Sequence, residues 1–138
     1  ELDKQMMKQN LEKAFATLDD MISKAPEING SKVLVSKIDT HNSEEFKAIG
    51  EEMRKKLRNG VSLLATILDE KINLVCTASD NLVSDKKISA GNIIRDAAKQ
   101  LGGGGGGRPQ LATAGGKDID KLDSVLASSS DEIKKLLS

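Results

Sequence analysis

Six consecutive glycines, Gly102–Gly107, run straight into Arg108-Pro109, and a second glycine pair, Gly115-Gly116, precedes Lys117. A ribbon without Cβ atoms lets its backbone approach a neighbour or a ligand closely. The plain reading is a flexible linker. Only about 30 residues follow it, however, too few to bury a core of their own. They must pack back on the preceding chain, so the run is expected as an internal loop pinned at both ends. A phosphate-binding P-loop does not fit. That motif places Gly-Lys-Ser/Thr ahead of a helix, whereas this run follows a predicted helix end, where the dipole is negative. The better phosphate position is Gly115-Gly116-Lys117, leading into a helix that starts near Asp118. Exposed amides there could meet an anion, with Asp118 as N-cap competing for them.

Around that feature the chain alternates helical and strand-like stretches. Residues 2–25 read as a helix in which Met7, Leu11, Ala14, Leu18 and Met21 form a short heptad seam, ended by Pro26. That seam either packs on its own domain or pairs with another helix. A strand is expected over 32–38. A helix over 44–59 follows, with Ser43 as N-cap and Gly60 just past its end. A hairpin of strands 61–68 and 72–78 turns at Asp69-Glu70-Lys71. Residues 79–88 read as polar loop. Ser89 caps a helix reaching Leu101, residues 111–114 suit a short strand, and Asp118 opens a last helix that Ser128–Ser130 are expected to interrupt. The fold class is α+β: an N-terminal amphipathic helical arm, residues 1–28, then a globular domain, residues 29–138, with about four or five strands packed on helices.

Charge and composition narrow the function. Net charge is zero, from 21 basic and 21 acidic residues, which argues against a uniformly basic nucleic-acid binder. The distribution is uneven. Residues 1–60 hold 11 of each sign, whereas Lys86, Lys87, Arg95, Lys99, Arg108 and Lys117 are opposed between 86 and 117 by Asp96 alone. Phe15 and Phe46 are the only aromatics, so stacking platforms for single strands are ruled out. One histidine, His41, and one cysteine, Cys76, cannot assemble a zinc site of the usual ligands or a nucleophile–base pair. His41 reads as a surface residue and Cys76 as a buried strand residue facing the same way as Ile72 and Leu74. No catalytic residue and no metal site are expected. No apolar run reaches membrane-spanning length and no signal peptide is read. The expectation is a cytoplasmic location, and a start at Glu1 rather than Met suggests a piece of a longer protein.

The stretch Gly102–Lys117, GGGGGGRPQLATAGGK, resembles the hallmark of the DHH-associated C-terminal domain of bacterial-type alanyl-tRNA synthetases: a glycine run, Arg-Pro, an acid, an apolar residue, Ala-Gln-Ala and Gly-Gly. Glu27-Ile28-Asn29-Gly30 with Lys32-Val33-Leu34, Lys71–Val75 and Lys87–Gly91 resemble the family's neighbouring strands and helix start, so the resemblance covers nearly the whole chain. Related DHH phosphoesterases usually carry His where Arg108 stands. Gln110 replaces an acid and Thr113 a Gln.

The resemblance implies a non-catalytic module that contacts the tRNA elbow and helps couple aminoacylation to editing. Its implied partners are tRNA, alanine-specific in the parent enzyme, and the other synthetase domains. A homodimer is a further possibility. ATP, Mg and an editing-site Zn are implied for the parent, none for this segment. The residues expected to carry RNA are Arg108 and Lys117, then Arg95, Lys99, Lys86 and Lys87, over a floor of Gly103, Gly104, Gly105, Gly106, Gly107, Gly115 and Gly116. Two alternatives stand beside this: an oligomerisation or spacer module, and the substrate-binding domain of a DHH-family phosphoesterase.

Overall fold

The structure, a computed structural model, describes residues 2–28, 30–57, 59–85 and 88–137, the side chains of 2–11 and 85 excepted. It is α+β, as the alternation of periods implies. The elements run α1 (Leu2–Lys24), β1 (Glu27–Ile28), β2 (Ser31–Lys37), α2 (Ser43–Lys56), β3 (Gly60–Leu68), β4 (Lys71–Ala78), α3 (Asp80–Asp85), α4 (Ala90–Gln100), β5 (Gly104–Gly107), β6 (Leu111–Gly116), a 3-10 turn (Ile119–Lys121) and α5 (Leu122–Leu137). The strands form one mixed sheet in the order β1-β2-β3-β4-β6-β5. Only β2 and β3 are parallel, joined by α2 as a crossover.

Helices cover both faces of this sheet, which explains why β3 and β4 are apolar almost throughout. Alternation divides their side chains. Leu63, Ala65, Ile72, Leu74 and Cys76 point to the layer formed by α4 and α5, where they meet Ile94, Ala98, Leu122 and Ile133. Leu34, Leu64 and Val75 point to α1 and α2, against Leu18, Phe46, Ile49 and Met53. Each of the Leu, Ile, Val, Phe and Met side chains among them, fully buried, contributes about 1.5–3 kcal/mol of transfer free energy.

The helical arm is therefore not wholly separate from the globular part. Leu18 is buried, and Ala14, Phe15, Met21 and Ile22 pack at the edge of the same cluster. The Lys32 ammonium reaches up from β2 to donate to the Ile22 carbonyl at 2.7 Å, near the C-terminus of α1, where that oxygen also accepts from the Ala25 amide at 3.2 Å. Met7 and Leu11, the other members of the seam, lie among the residues whose side chains are not described.

Several local expectations change. The N-cap of α2 is Asn42, not Ser43: the Asn42 carboxamide oxygen accepts from the Glu45 amide at 2.8 Å. Gly60 opens β3 instead of closing α2, because strand β2 runs so near that a Cβ there would sit 2.5 Å from the Lys32 carbonyl oxygen. Residues 79–88 contain the short α3. Asp118 makes no side-chain cap, and a single 3-10 turn intervenes before α5. Ser128–Ser130 do not break α5, since Val125, Leu126, Ile133 and Leu137 share one buried face and serine's low helix preference is a small term beside that packing. The sheet has six strands, above the four or five expected, because the two-residue β1 and the glycine run both pair.

Candidate nucleic-acid interface

The glycine run begins as a helix stop. Gly102 adopts φ +75°, its amide donates to the Lys99 carbonyl, and the Gly103 amide donates to the Ala98 carbonyl at 2.8 Å. These two bonds close α4 in a Schellman motif. The chain then extends. Gly104–Gly107 form edge strand β5, antiparallel to β6, with Gly104 opposite Gly115 and Gly107 opposite Ala112. The expected loop is thus a strand. Glycine has poor strand preference, so close packing accounts for it here. A Cβ on Gly103 would land on the Gly115 carbonyl oxygen, and one on Gly105 would lie 2.5 Å from the Ala114 Cα. From the other side, a Cβ on Gly91 of α4 would lie 2.9 Å from the Gly107 carbonyl oxygen. The ribbon is pressed between β6 and α4 at a spacing that side chains forbid.

The turn of this hairpin is tied down at its backbone. The Arg108 amide donates to the Leu111 carbonyl at 3.0 Å. The Pro109 carbonyl accepts from Ala90, the first residue of α4, at 2.9 Å, and the Gln110 carbonyl accepts from Ala78, the last of β4, at 3.1 Å. The tether at 110 uses the main chain, so it does not require an acid there. Arg108 itself is exposed and makes no ion pair among the described residues.

Helix α4 runs back along β5 from this turn and carries two more cations down the same edge. The Arg95 guanidinium lies 3.5 Å from where a Gly106 Cβ would be and donates weakly to the Asn92 carboxamide oxygen at 3.5 Å. Lys99 follows one helical turn later, exposed. Arg95, Lys99 and Arg108 therefore share one flank of the hairpin. Lys117 lies far from Arg108, at the end of the hairpin where α4 stops just beyond Lys99 and the Lys117 amide meets the Leu101 carbonyl. It follows β6 at the opposite end, six residues beyond Leu111, or about 20 Å along the strand. Lys86 and Lys87 lie outside the described residues. The phosphate position ahead of the last helix is also closed: the amides of Lys117 and Asp118 both donate to the Leu101 carbonyl, at 2.8 and 2.9 Å, and Ile119 donates to Lys117. Those donors are spent on holding the strand to the end of α4.

At the Lys117 end a cleft of ≈ 660 Å³ opens between the hairpin and the N-terminal turn of α2. Gly103, Gly104, Gly115, Gly116 and Asn73 line it from the sheet, His41, Asn42 and Ser43 from the helix, and Asp69, Lys71 and Lys117 from its rim. A smaller hollow continues it along Lys47 and Thr113. His41 is mostly exposed, and its Nδ1 lies 3.0 Å from Oε2 of the buried Glu45 carboxylate, which also accepts from the His41 amide.

Cys76 is fully buried, and desolvation pushes its thiol well above the ordinary range, so the thiolate is suppressed. Among the described residues no three His, Cys, Asp or Glu side chains gather in a way that could hold a metal ion.

Residues 30–135 match the DHHA1 domain. The chain belongs to that family. It is 47% identical over 111 residues to the alanine–tRNA ligase of Acetivibrio thermocellus, covering 80% of this chain and 12% of that protein. It is 35% identical over 133 residues to the alanine–tRNA ligase of Clostridioides difficile, covering 96% of this chain and 15% of that protein. The chain thus spans less than a sixth of these curated relatives. Among solved structures, the C-Ala domain of Aquifex aeolicus alanyl-tRNA synthetase superposes with a TM-score of 0.68 at 28% identity, over 83% of this chain and 98% of that one. The resemblance read from the glycine–Arg–Pro element is the one the whole chain carries.

The residues that sequence reasoning passed over are those of the cleft: Asn42, Lys47, Lys71 and Asn73. Asn73 left a trace, as a polar residue set between Ile72 and Leu74 in an otherwise apolar strand. The two lysines left none, since an exposed lysine on a helix or a strand end looks alike wherever it sits.

Proposed function

We propose that this DHHA1 domain is a non-catalytic tRNA-binding accessory module of an alanyl-tRNA synthetase, holding the tRNA elbow while aminoacylation and editing proceed in other parts of the parent chain. The observation that carries the reading is the line of Arg108, Arg95 and Lys99 along the β5–α4 edge. None of the three is neutralised by an acid among the described residues, whereas Lys24, Lys37 and Lys56 each pair with an aspartate. With no aromatic exposed for stacking, such an edge suits phosphates and the shape of folded RNA. The Cβ-free strand beside the cations lets a sugar–phosphate backbone come close.

The oligomerisation reading loses part of its basis. Leu18, which it needs at a helix–helix seam, is committed to the core of its own domain.

The test is binding of an unmodified alanine tRNA transcript to the chain at 50 and 200 mM salt. Three phosphates neutralised along the edge contribute about −2 to −3 to the log–log salt slope. Arg108→Ala weakens binding about five- to tenfold and lowers that slope by about 1. An Arg108→Ala variant that binds like wild type removes the proposal.

A further inference from the structure

The cleft at the other end of the hairpin is not used by that reading, and three observations mark it as built for an anion. First, its floor is bare where the fold does not require it. Gly115 lies on the strand face shared with Leu111 and Thr113, the face turned to α2. A Cβ there would touch only the Ile72 carbonyl oxygen, at 3.4 Å, an ordinary contact. A Cβ on its partner Gly104 would meet nothing within 4 Å. These two glycines contrast with Gly103 and Gly105, which packing dictates. Second, Asn73, directly opposite Gly115 in the β4–β6 register, has a side chain with no hydrogen-bond partner among the described residues. Third, Lys47, Lys71 and Lys117 line the cleft and its continuation, all exposed and none in an ion pair among the described residues. Against these stands one unpaired acid of that lining, Asp69, outnumbered by the three lysines; the nearby Glu45 carboxylate is turned to His41. The N-terminal turn of α2 forms a wall and brings the positive end of its dipole, offset by Glu44 in the same turn.

We propose that this cleft is a second phosphate site, holding one nucleotide of the RNA backbone: the phosphodiester lies over Gly104 and Gly115 between Lys71, Lys117 and Lys47, and Asn73 bonds a ribose hydroxyl or a phosphate oxygen. Its volume falls within the usual range of about 300–1,000 Å³ for small-ligand sites. The RNA is then gripped at two places, one at each end of the glycine hairpin and about 20 Å apart. Naming RNA as the occupant rests on the tRNA-binding reading; the presence of an anion site does not.

The test combines tRNA binding with a free-ligand arm. Lys71→Ala with Lys117→Ala weakens tRNA binding about tenfold and lowers the salt slope by about 2, adding to the effect of Arg108→Ala. Gly115→Val, which fills the floor, weakens binding similarly while the melting temperature stays within a few degrees of wild type. In parallel, 5′-AMP and inorganic phosphate are titrated into the wild-type chain and the amide resonances of Gly104, Gly115 and Asn73 are followed. Weak shifts at millimolar ligand that tRNA competes away support the proposal. Cleft variants that bind tRNA like wild type, while Arg108→Ala loses affinity, overturn it and leave the edge reading intact. Tight 5′-AMP binding without tRNA binding overturns the assignment to RNA, and with it the edge reading. Absence of shifts with either ligand, together with unchanged tRNA binding in the variants, overturns the site itself.

Discussion

The sheet contains two hairpins that treat glycine in opposite ways. Between β3 and β4 a two-residue turn, Asp69-Glu70, places both residues in the left-handed region, at φ +50° and +63°. That is where a type I′ hairpin favours glycine, above all at the second position, and neither residue is one. Between β5 and β6 the chain has four paired glycines in strand, where backbone conformation favours glycine only at Gly106, at φ +158°. The contrast teaches what the glycines are for. In the second hairpin Gly105 and Gly107 set lateral distance: there the strand lies closer to β6 than a Cβ permits, and its outer edge stays narrow beside Arg95 and Arg108. In the first, the chain tolerates some strain and keeps a carboxylate, Asp69, on the rim of the cleft.

Substitutions can break this comparison, and their effects should fall in a definite order. Gly103→Ala is the most severe, because its methyl falls on the Gly115 carbonyl oxygen and both strands are fixed; a loss of about 3 kcal/mol in a urea melt is expected. Gly105→Ala costs about 2 kcal/mol for a similar clash with Ala114. Equal stability of both variants with wild type would show that β5 is not held at this distance. Glu70→Gly acts in the other direction. It relieves a left-handed residue worth about 1–2 kcal/mol, offset by glycine's greater chain entropy, so a net gain of about 0.5–1 kcal/mol is expected from the same melt. Gly104→Ala has the smallest effect, within about 0.5 kcal/mol, since open space surrounds the new methyl. A large loss at Gly104 would dissolve the distinction between packed and open glycines on which the cleft argument stands.

Each substitution also separates stability from binding. Gly103→Ala should lower tRNA affinity only as far as it unfolds the domain, so circular dichroism and binding fall together. Variants at the cleft should lose affinity with the melt unchanged. The same logic redefines the arm. Leu18→Glu buries a charge in the cluster of Phe46, Ile49 and Met53 and unfolds the domain, so it cannot serve as a clean test of helix pairing.

Much of this protein follows from residue order alone. Helical and strand periods, Pro26 after α1, Ser89 capping α4 through the Asn92 amide at 3.4 Å, and the apolar runs of β3 and β4 are short-range statements that chain chemistry makes directly. The family is likewise written in the consecutive residues from Gly102 to Gly116. Tertiary structure decided what depends on neighbours distant in sequence. A run of glycines has no preference of its own for a strand; pairing with β6 and the contact with Gly91 make it one. Likewise, the amides ahead of the last helix were consumed by Leu101, Lys117 was parted from Arg108, and Lys47, Lys71 and Asn73 were brought to one hollow, because strand order rather than spacing along the chain sets which charges share a surface.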